Sequence, residues 1–417
     1  MSLTYSKENS GCNKIISYRC LVIFFCILCM CIALFCILPY KSLVIKDSPI
    51  FLRSLTTTET TTTKEPILEE RVEPLSKQYA FVACSIHSSN EAYCFYTPII
   101  VLAWRRLGYE VIVTLVGDFI KLNQTKPDDI QLVIKYIYEF GGKILEFQCP
   151  ENYAMKISQT IRLFIGFLPL NFSNDDDYFI ISDSDLIPLR RTQYMLEKGY
   201  PDGFIVNRDC CGFFFRRNRS YHMIPMGHLY MKSYLWRDMI LQSVIHKELI
   251  TISQNFYQYP NGSYDYEITK RYTKKKKFDS LLLTKDKIVT FDIISLYLRQ
   301  EFRDVYDQPT VKGGTGWDMD QLLITMFLFD YINTTTDGQK LKIHERGLLG
   351  RLDRSQPFIE WSTKSNFSEF GDAHITHNIF ERKFWYTYRH LFKYLFNETC
   401  VKLLDEYYKT YLLLRLI

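Results

Sequence analysis

Beyond residue 38 the sequence has no Cys-x-x-Cys pair and no cluster among its few histidines, eight in 417 residues, so nothing there reads as a zinc site. No basic stripe is interleaved with aromatics, and a formal charge of +5 is small for 417 residues, which sets nucleic acid aside as a partner. No internal repeat is evident, and the run Lys274–Lys277 reads as a solvated loop rather than a site for an acidic partner. Charge is also missing from Cys20 to Leu38, a stretch of 19 residues. At about 1.5 Å per helical residue this covers roughly 28 Å, close to the hydrocarbon thickness of a bilayer. A cleavable signal has a shorter apolar region followed by a small-x-small site, and neither is found, so the run is expected to be an uncleaved anchor.

What is present gives the anchor a direction. Lys7, Lys14 and Arg19 before it balance Lys41, Lys46 and Arg53 after it, a tie under the positive-inside rule. The Asn-x-Ser/Thr acceptors break the tie. Asn123, Asn171, Asn218, Asn261, Asn333, Asn366 and Asn397 are seven of the 13 asparagines beyond the span, and none precedes it. That distribution predicts a lumenal C-terminal portion. Six cysteines lie in or beside the span as apolar filler or palmitoylation candidates. The other six, Cys84, Cys94, Cys149, Cys210, Cys211 and Cys400, permit three disulfides, with the vicinal pair expected to bond to separate partners. Residues 1–19 are a polar tail. Residues 39–78 hold Thr-rich and charged, Pro-containing sequence that cannot bury enough apolar surface to order itself, and so form a stalk. The folded domain is expected from Tyr79, and a hydrophobic fraction of 47% supports a sizeable core.

Within that domain, strand-like runs at 79–84, 111–116 and 143–147 alternate with helical segments at 96–107, 128–140 and 155–167. This alternation predicts an α/β fold with a parallel, doubly wound sheet. Further strands are expected at 204–207 and 211–215. Helices are expected at 236–249, 293–302 and 319–331, with a helical C-terminal stretch over 383–414.

The chemistry concentrates at Tyr178-Phe-Ile-Ile-Ser-Asp-Ser-Asp185, an apolar strand ending on two carboxylates. Alternation along a strand would put Asp183 and Asp185 on one face, roughly 6–7 Å apart, able to share a hard divalent cation such as Mn²⁺ or Mg²⁺. Ligands of open α/β sheets gather at such strand ends. A second acidic element, Gly313-Gly-Thr-Gly-Trp-Asp-Met-Asp-Gln321, opens an apolar helix with Asp318 and Asp320 in its first turn, either as ordinary N-terminal carboxylates or as site groups. Arg351, Arg354, Trp361 and Asp372-Ala-His374 fall in a segment of little periodicity typical of site loops. His374 is a candidate nitrogen ligand, with His377 as its rival.

The tail, single anchor, Thr-rich stalk and Asp-x-Asp-terminated half together resemble type II Golgi glycosyltransferases with the GT-A fold, over residues 79 to about 390. The order of Ser158-Gln-Thr-Ile-Arg162, Ile180-Ile-Ser-Asp-Ser-Asp185, Asp318-Met-Asp-Gln321 and a late His is most similar to the glycogenin-like branch. No His-x-x-Gly-x-x-Lys-Pro-Trp follows. The resemblance implies a GT-A-like, Rossmann-type mixed sheet with flanking helices. It divides the chain into a cytoplasmic tail (1–19), an anchor (20–38), a stem (39–78) and a lumenal domain (79–417). That domain comprises a nucleotide-sugar half (79–190), an acceptor half (191–390) and a C-terminal helix (391–417). It further implies that Asp183, Asp185 and His374 hold Mn²⁺ or Mg²⁺. Arg162 would hold diphosphate or sugar, and Asp320 and Gln321 would face the donor sugar or acceptor. Arg351 and Arg354 add candidate phosphate contacts, Trp317 a substrate contact, and Asp318 or Asp320 a candidate base. The expected partners are a nucleotide sugar, a glycan, glycoprotein or glycolipid acceptor, and a Golgi or endoplasmic-reticulum membrane. The alternatives are a metal-dependent hydrolase or nucleotidyltransferase, and a non-catalytic tethered lectin or chaperone-like module.

Overall fold

The computed structural model describes residues 76–415 apart from 88–90, 126, 170–172, 207–210, 259–263, 312–315, 348, 356–357, 363 and 377. The chain divides into two units, 1–65 and 66–417, and all described residues belong to the second. The expected anchor at Cys20–Leu38 and the stalk up to residue 75 lie outside the described residues. Among those described, no helix is long and apolar enough to cross a membrane.

The domain opens with β1 (Gln78–Ser85), α1 (Glu91–Arg106), β2 (Glu110–Gly117), α2 (Asp128–Glu139) and β3 (Gly142–Gln148). β1 and β2 are almost wholly buried runs of aliphatic, aromatic and small residues, as strands covered on both faces require, and they pair in parallel with Ala80 opposite Val111. α3 (Ala154–Thr160) then gives way to a 3₁₀ turn, Ile161–Phe167, in which Phe164 leaves helical geometry (φ −94°, ψ 22°). A continuous helix over 155–167 is therefore not formed. Six of the seven turn residues are buried, and the following layer approaches so closely that a Cβ on Gly166 would lie 2.7 Å from the Arg237 backbone nitrogen. The tighter turn accommodates that contact.

Next come β4 (Tyr178–Ser182), β5 (Leu186–Pro188), β6 (Gly203–Val206), the hairpin β7 (Phe213–Arg216) and β8 (Arg219–His222), and β9 (Leu229–Lys232). The chain continues through α4 (Ser233–Leu241), α5 (Val244–Gln254), α6 (Phe291–Tyr306), α7 (Met319–Thr334), β10 (Ile343–Arg346), β11 (Asp372–His374), α8 (Arg382–Leu395) and α9 (Glu398–Leu414). The central sheet has seven strands in the order β10-β6-β9-β4-β1-β2-β3, flanked by helices. Only β9 runs antiparallel to its neighbours, so the sheet is mixed rather than wholly parallel. β5 pairs separately with β11, which is what later brings His374 to the strand end of Asp183.

Several local expectations are corrected. The helix expected over 236–249 breaks at Ser243, whose hydroxyl accepts the His246 N–H and starts α5 as an N-cap. The C-terminal helix breaks likewise at Asn397, which caps α9. The strand expected over 211–215 belongs to the β7–β8 hairpin, outside the main sheet. Lys275–Asp279 forms a short helix instead of a loop because Phe278 is fully buried beneath it, although Lys276 and Lys277 remain exposed. Three disulfides do not form. Cys84, Cys94 and Cys149 are free and buried as core side chains, and Cys400 is also free. Cys211 is disulfide-bonded, to a partner outside the described residues.

Candidate active site

Phe179, Ile180 and Ile181 are fully buried, a contribution of about 1.5–3 kcal/mol each that holds β4 at the sheet centre beside β1. β4 ends at Ser182, so Asp183 and Asp185 do not leave a strand face as the pleat argument expected. They lie in a tight turn between β4 and β5, closed by the Leu186 N–H donating to the Asp183 carbonyl at 3.2 Å. The Trp104 indole donates to the Ser182 hydroxyl at 2.9 Å, and that hydroxyl donates to the Asp183 carbonyl at 3.0 Å, tying the turn to α1. Gly227 passes directly against it with φ +94°. A Cβ there would meet Asp183 Oδ2 at 3.1 Å, so a side chain at 227 would be both strained and crowded.

Opposite the turn, β11 delivers His374. One ligand atom from each of Asp183, Asp185 and His374 lies within 4.8 Å of the other two, with His374 Nδ1 3.8 Å from Asp185 Oδ1. His374 is held through its backbone. Its N–H donates to Asp353 Oδ1 at 2.9 Å, and Arg351 Nη2 clasps Asp353 Oδ2 at 2.7 Å. His374 Nε2 is buried and has no hydrogen-bond partner among the described residues, a state that is costly unless another group meets it. Two carboxylates and an imidazole whose Nδ1 approaches Asp185 are a donor set that Mn²⁺ accepts.

Arg162 projects from the 3₁₀ turn between the two acidic elements. Its Nη1 donates to Asp183 Oδ1 and, at 3.1 Å, to the Ser182 carbonyl, while Nη2 donates to Asp320 Oδ2 at 2.8 Å. Burial disfavours its charge, but the two carboxylates outweigh that and its pKa is raised. Asp320 is 4% exposed. Burial pushes its carboxyl up to about 6, with Arg162 pulling the other way. Asp318 precedes α7 without capping it, so the ordinary capping role considered for it is not taken up. Its carboxylate has no partner among the described residues, and burial raises its pKa.

A single cavity of about 320 Å³ collects these groups. Asp183, Asp185, His374, Arg162, Asp318, Asp320, Gln321, Arg351, Arg354 and Trp317 all line it, although they come from distant parts of the sequence. Of the cationic members, Arg162 and Arg351 are engaged by carboxylates, whereas Arg354 is exposed and unpaired among the described residues. Trp361 does not line the cavity; it packs edge-on to Phe358 and Tyr388 in the core. His377 lies outside the described residues, as does the glycine-rich stretch 312–315.

Sequence reasoning missed two features. Tyr93 on α1 lines the cavity, with its hydroxyl pKa raised by burial and by the charges of Asp185 and Asp183. No local motif marks it. His228 Nε2 meets Asp372 Oδ2 at 2.7 Å, both residues buried, two positions before His374. Burial raises the Asp372 carboxyl, yet the His228 hydrogen bond and charge outweigh it and leave its pKa lowered. Asp372-Ala-His374 stood out in the sequence, but only the fold pairs it with His228.

No family model and no curated protein matches the chain. Among solved structures it is similar to the glycosyltransferase GlyE of Streptococcus pneumoniae TIGR4. The apo form matches at 16% identity and a second structure at 15%, each with a TM-score of 0.23. The matches cover 48% of this chain, which spans 44% of the length of those chains. A likeness that low decides neither fold nor activity, which rest on the sheet and the cavity themselves.

Proposed function

We propose that this chain is a divalent-metal-dependent glycosyltransferase that moves a sugar from a nucleotide-sugar donor to a glycan, glycoprotein or glycolipid acceptor. The observation that carries the reading is the cavity at the strand ends, where a two-carboxylate, one-imidazole cluster faces cationic side chains. Asp183, Asp185 and His374 would hold Mn²⁺ or Mg²⁺. The cation supplies electrostatic stabilisation of the charge that grows on the departing diphosphate.

The remaining roles belong to the chain. Arg162 and Arg354 bind and orient phosphate oxygens through charge-assisted hydrogen bonds, and Arg351 keeps the His374 strand in place through Asp353. Asp318, half-buried and unpartnered, takes the proton of the acceptor hydroxyl; a raised pKa brings a carboxylate nearer to that task. Trp317 and Gln321 line the same cavity and contact the sugars. The proposed setting is the Golgi or endoplasmic-reticulum lumen, tethered by Cys20–Leu38. All five described sequon asparagines, Asn123, Asn218, Asn333, Asn366 and Asn397, are exposed, so burial bars none of them from glycosylation.

The test is sugar transfer by the purified full-length protein, with UDP-, GDP- and CMP-sugars screened alongside Mn²⁺. Asp185→Ala is expected to lower transfer by about a thousandfold or more without changing the circular-dichroism melt, and excess EDTA to do the same. Asp183→Ala is expected to lose transfer as fully but to melt lower, because it removes one of the two carboxylate partners of the buried Arg162. Full activity in either variant, or in EDTA, refutes the metal role. Release of free nucleotide with no sugar on any acceptor favours the hydrolase alternative.

A further inference from the structure

We infer that Arg162 is a coupling residue that makes cation and diphosphate bind as a unit, by occupying the cation's own ligand until a diphosphate relieves it. The inference rests on the metal–diphosphate reading above. It concerns the order and interdependence of binding, which that reading leaves open.

Three observations carry it. First, Arg162 is not simply near the acidic cluster: its Nη1 sits on Asp183 Oδ1, so one oxygen of a candidate metal ligand is already engaged by a cation. The Asp183 side chain is 27% exposed, so an entering ion can reach this carboxylate, but it does so beside a guanidinium already in place. Second, the guanidinium has nowhere else to go within the protein. Its side chain is 6% exposed, and besides Asp183 it donates to the Gln159 and Ser182 carbonyls and to Asp320. Third, it lines the cavity, so a ligand entering there can reach it.

The consequence follows from charge. An ion of charge +2 entering beside Asp183 meets a fixed +1 charge. At a separation of roughly 5 Å the repulsion weakens binding by about tenfold even at the dielectric of water, and by more in a partly buried site. A diphosphate reverses the sign of the interaction, because its oxygens satisfy both the guanidinium and the cation. Each partner then removes the obstacle to the other, and by linkage the effect is reciprocal.

The experiment measures Mn²⁺ affinity of the full-length protein by the paramagnetic signal of free Mn²⁺, with and without UDP or GDP, after correction for Mn²⁺ bound by free nucleotide. Wild type is expected to bind Mn²⁺ weakly alone and at least about tenfold more tightly with nucleoside diphosphate. Arg162→Met should tighten binding of Mn²⁺ alone by about tenfold and reduce the nucleotide-induced gain. Because that variant strands the buried Asp320 carboxylate, the paired variant Arg162→Met/Asp320→Asn is measured beside it and should shift binding of Mn²⁺ alone in the same direction by a smaller factor, since the Asp320 charge that also attracts the ion is gone. Unchanged or weaker binding of Mn²⁺ alone in a folded variant overturns the coupling while leaving the metal site standing. A wild-type protein that binds no Mn²⁺ with or without nucleotide overturns the metal-site reading, and the coupling with it.

Discussion

Two Asp-x-Asp pairs with identical spacing meet the same cavity and are put to different uses. Asp183 and Asp185 stand in a turn between two short strands, where the backbone reverses and both carboxylates converge with His374. Asp318 and Asp320 stand at the start of α7, where two residues of helix turn the side-chain direction by about 200°. Asp320 is consequently driven into the core onto Arg162, while Asp318 remains half-buried and unpaired among the described residues. The spacing alone carries no role. The local backbone decides whether two carboxylates can share a cation or must part.

The comparison can be broken most forcefully at Asp320. Asp320→Ala should destabilise the domain by about 3–5 kcal/mol, because it removes one of the two partners of a buried guanidinium. Denaturant unfolding measures this, and a loss under about 1 kcal/mol would show that Asp183 alone satisfies Arg162.

A smaller effect comes from pH. The Asp320 carboxyl rises from its ordinary 3.8 to about 6 in the fold. Between those values the folded state retains a proton that the unfolded chain has released. This group's contribution therefore makes stability fall as pH rises from about 4 to 6, by about 2–3 kcal/mol in all. The difference in unfolding free energy between wild type and Asp320→Asn should fall by that amount across the window; an identical slope in the two proteins would remove the effect.

The mildest change is at Asp318. Asp318→Asn should leave stability within about 0.5 kcal/mol, since no capping bond is lost, and lower kcat by about ten- to a hundredfold with little change in donor KM. An unaltered kcat would show that the two pairs differ in burial but not in catalytic use.

Legibility followed the range of the forces involved. β1, β2 and β4 were readable because each is a largely apolar run bounded by polar or glycine residues, a pattern that follows from burial on both faces, while the edge strand β3 was marked by a shorter apolar run between Lys143 and Phe147. The break at Phe164 was not readable, because the residues around it are as apolar as any buried helix and only contact with α4 makes the turn tighten. Ser243 and Asn397 are good capping residues whose signals were overlooked inside longer apolar stretches. In the cavity, the two acidic pairs were marked by charge beside apolar sequence, Arg351 and Arg354 by a segment of little periodicity, and Arg162 only by the resemblance to glycosyltransferases. Tyr93 was not marked, since a tyrosine in an aromatic-rich helix has no distinguishing neighbour.

The sequence by itself determined which acidic side chains stand at the ends of apolar runs. The run ending at Ser182 and the two acidic pairs are local features, set by the need to bury apolar surface and by the cost of burying charge. Only the tertiary structure decided that these residues share one cavity. It carries His374 to Asp185 through the pairing of β11 with β5, and it inserts Arg162 between Asp183 and Asp320, residues 21 and 158 positions away. Those contacts depend on the path of the chain around a seven-stranded sheet, and no window of sequence contains that path.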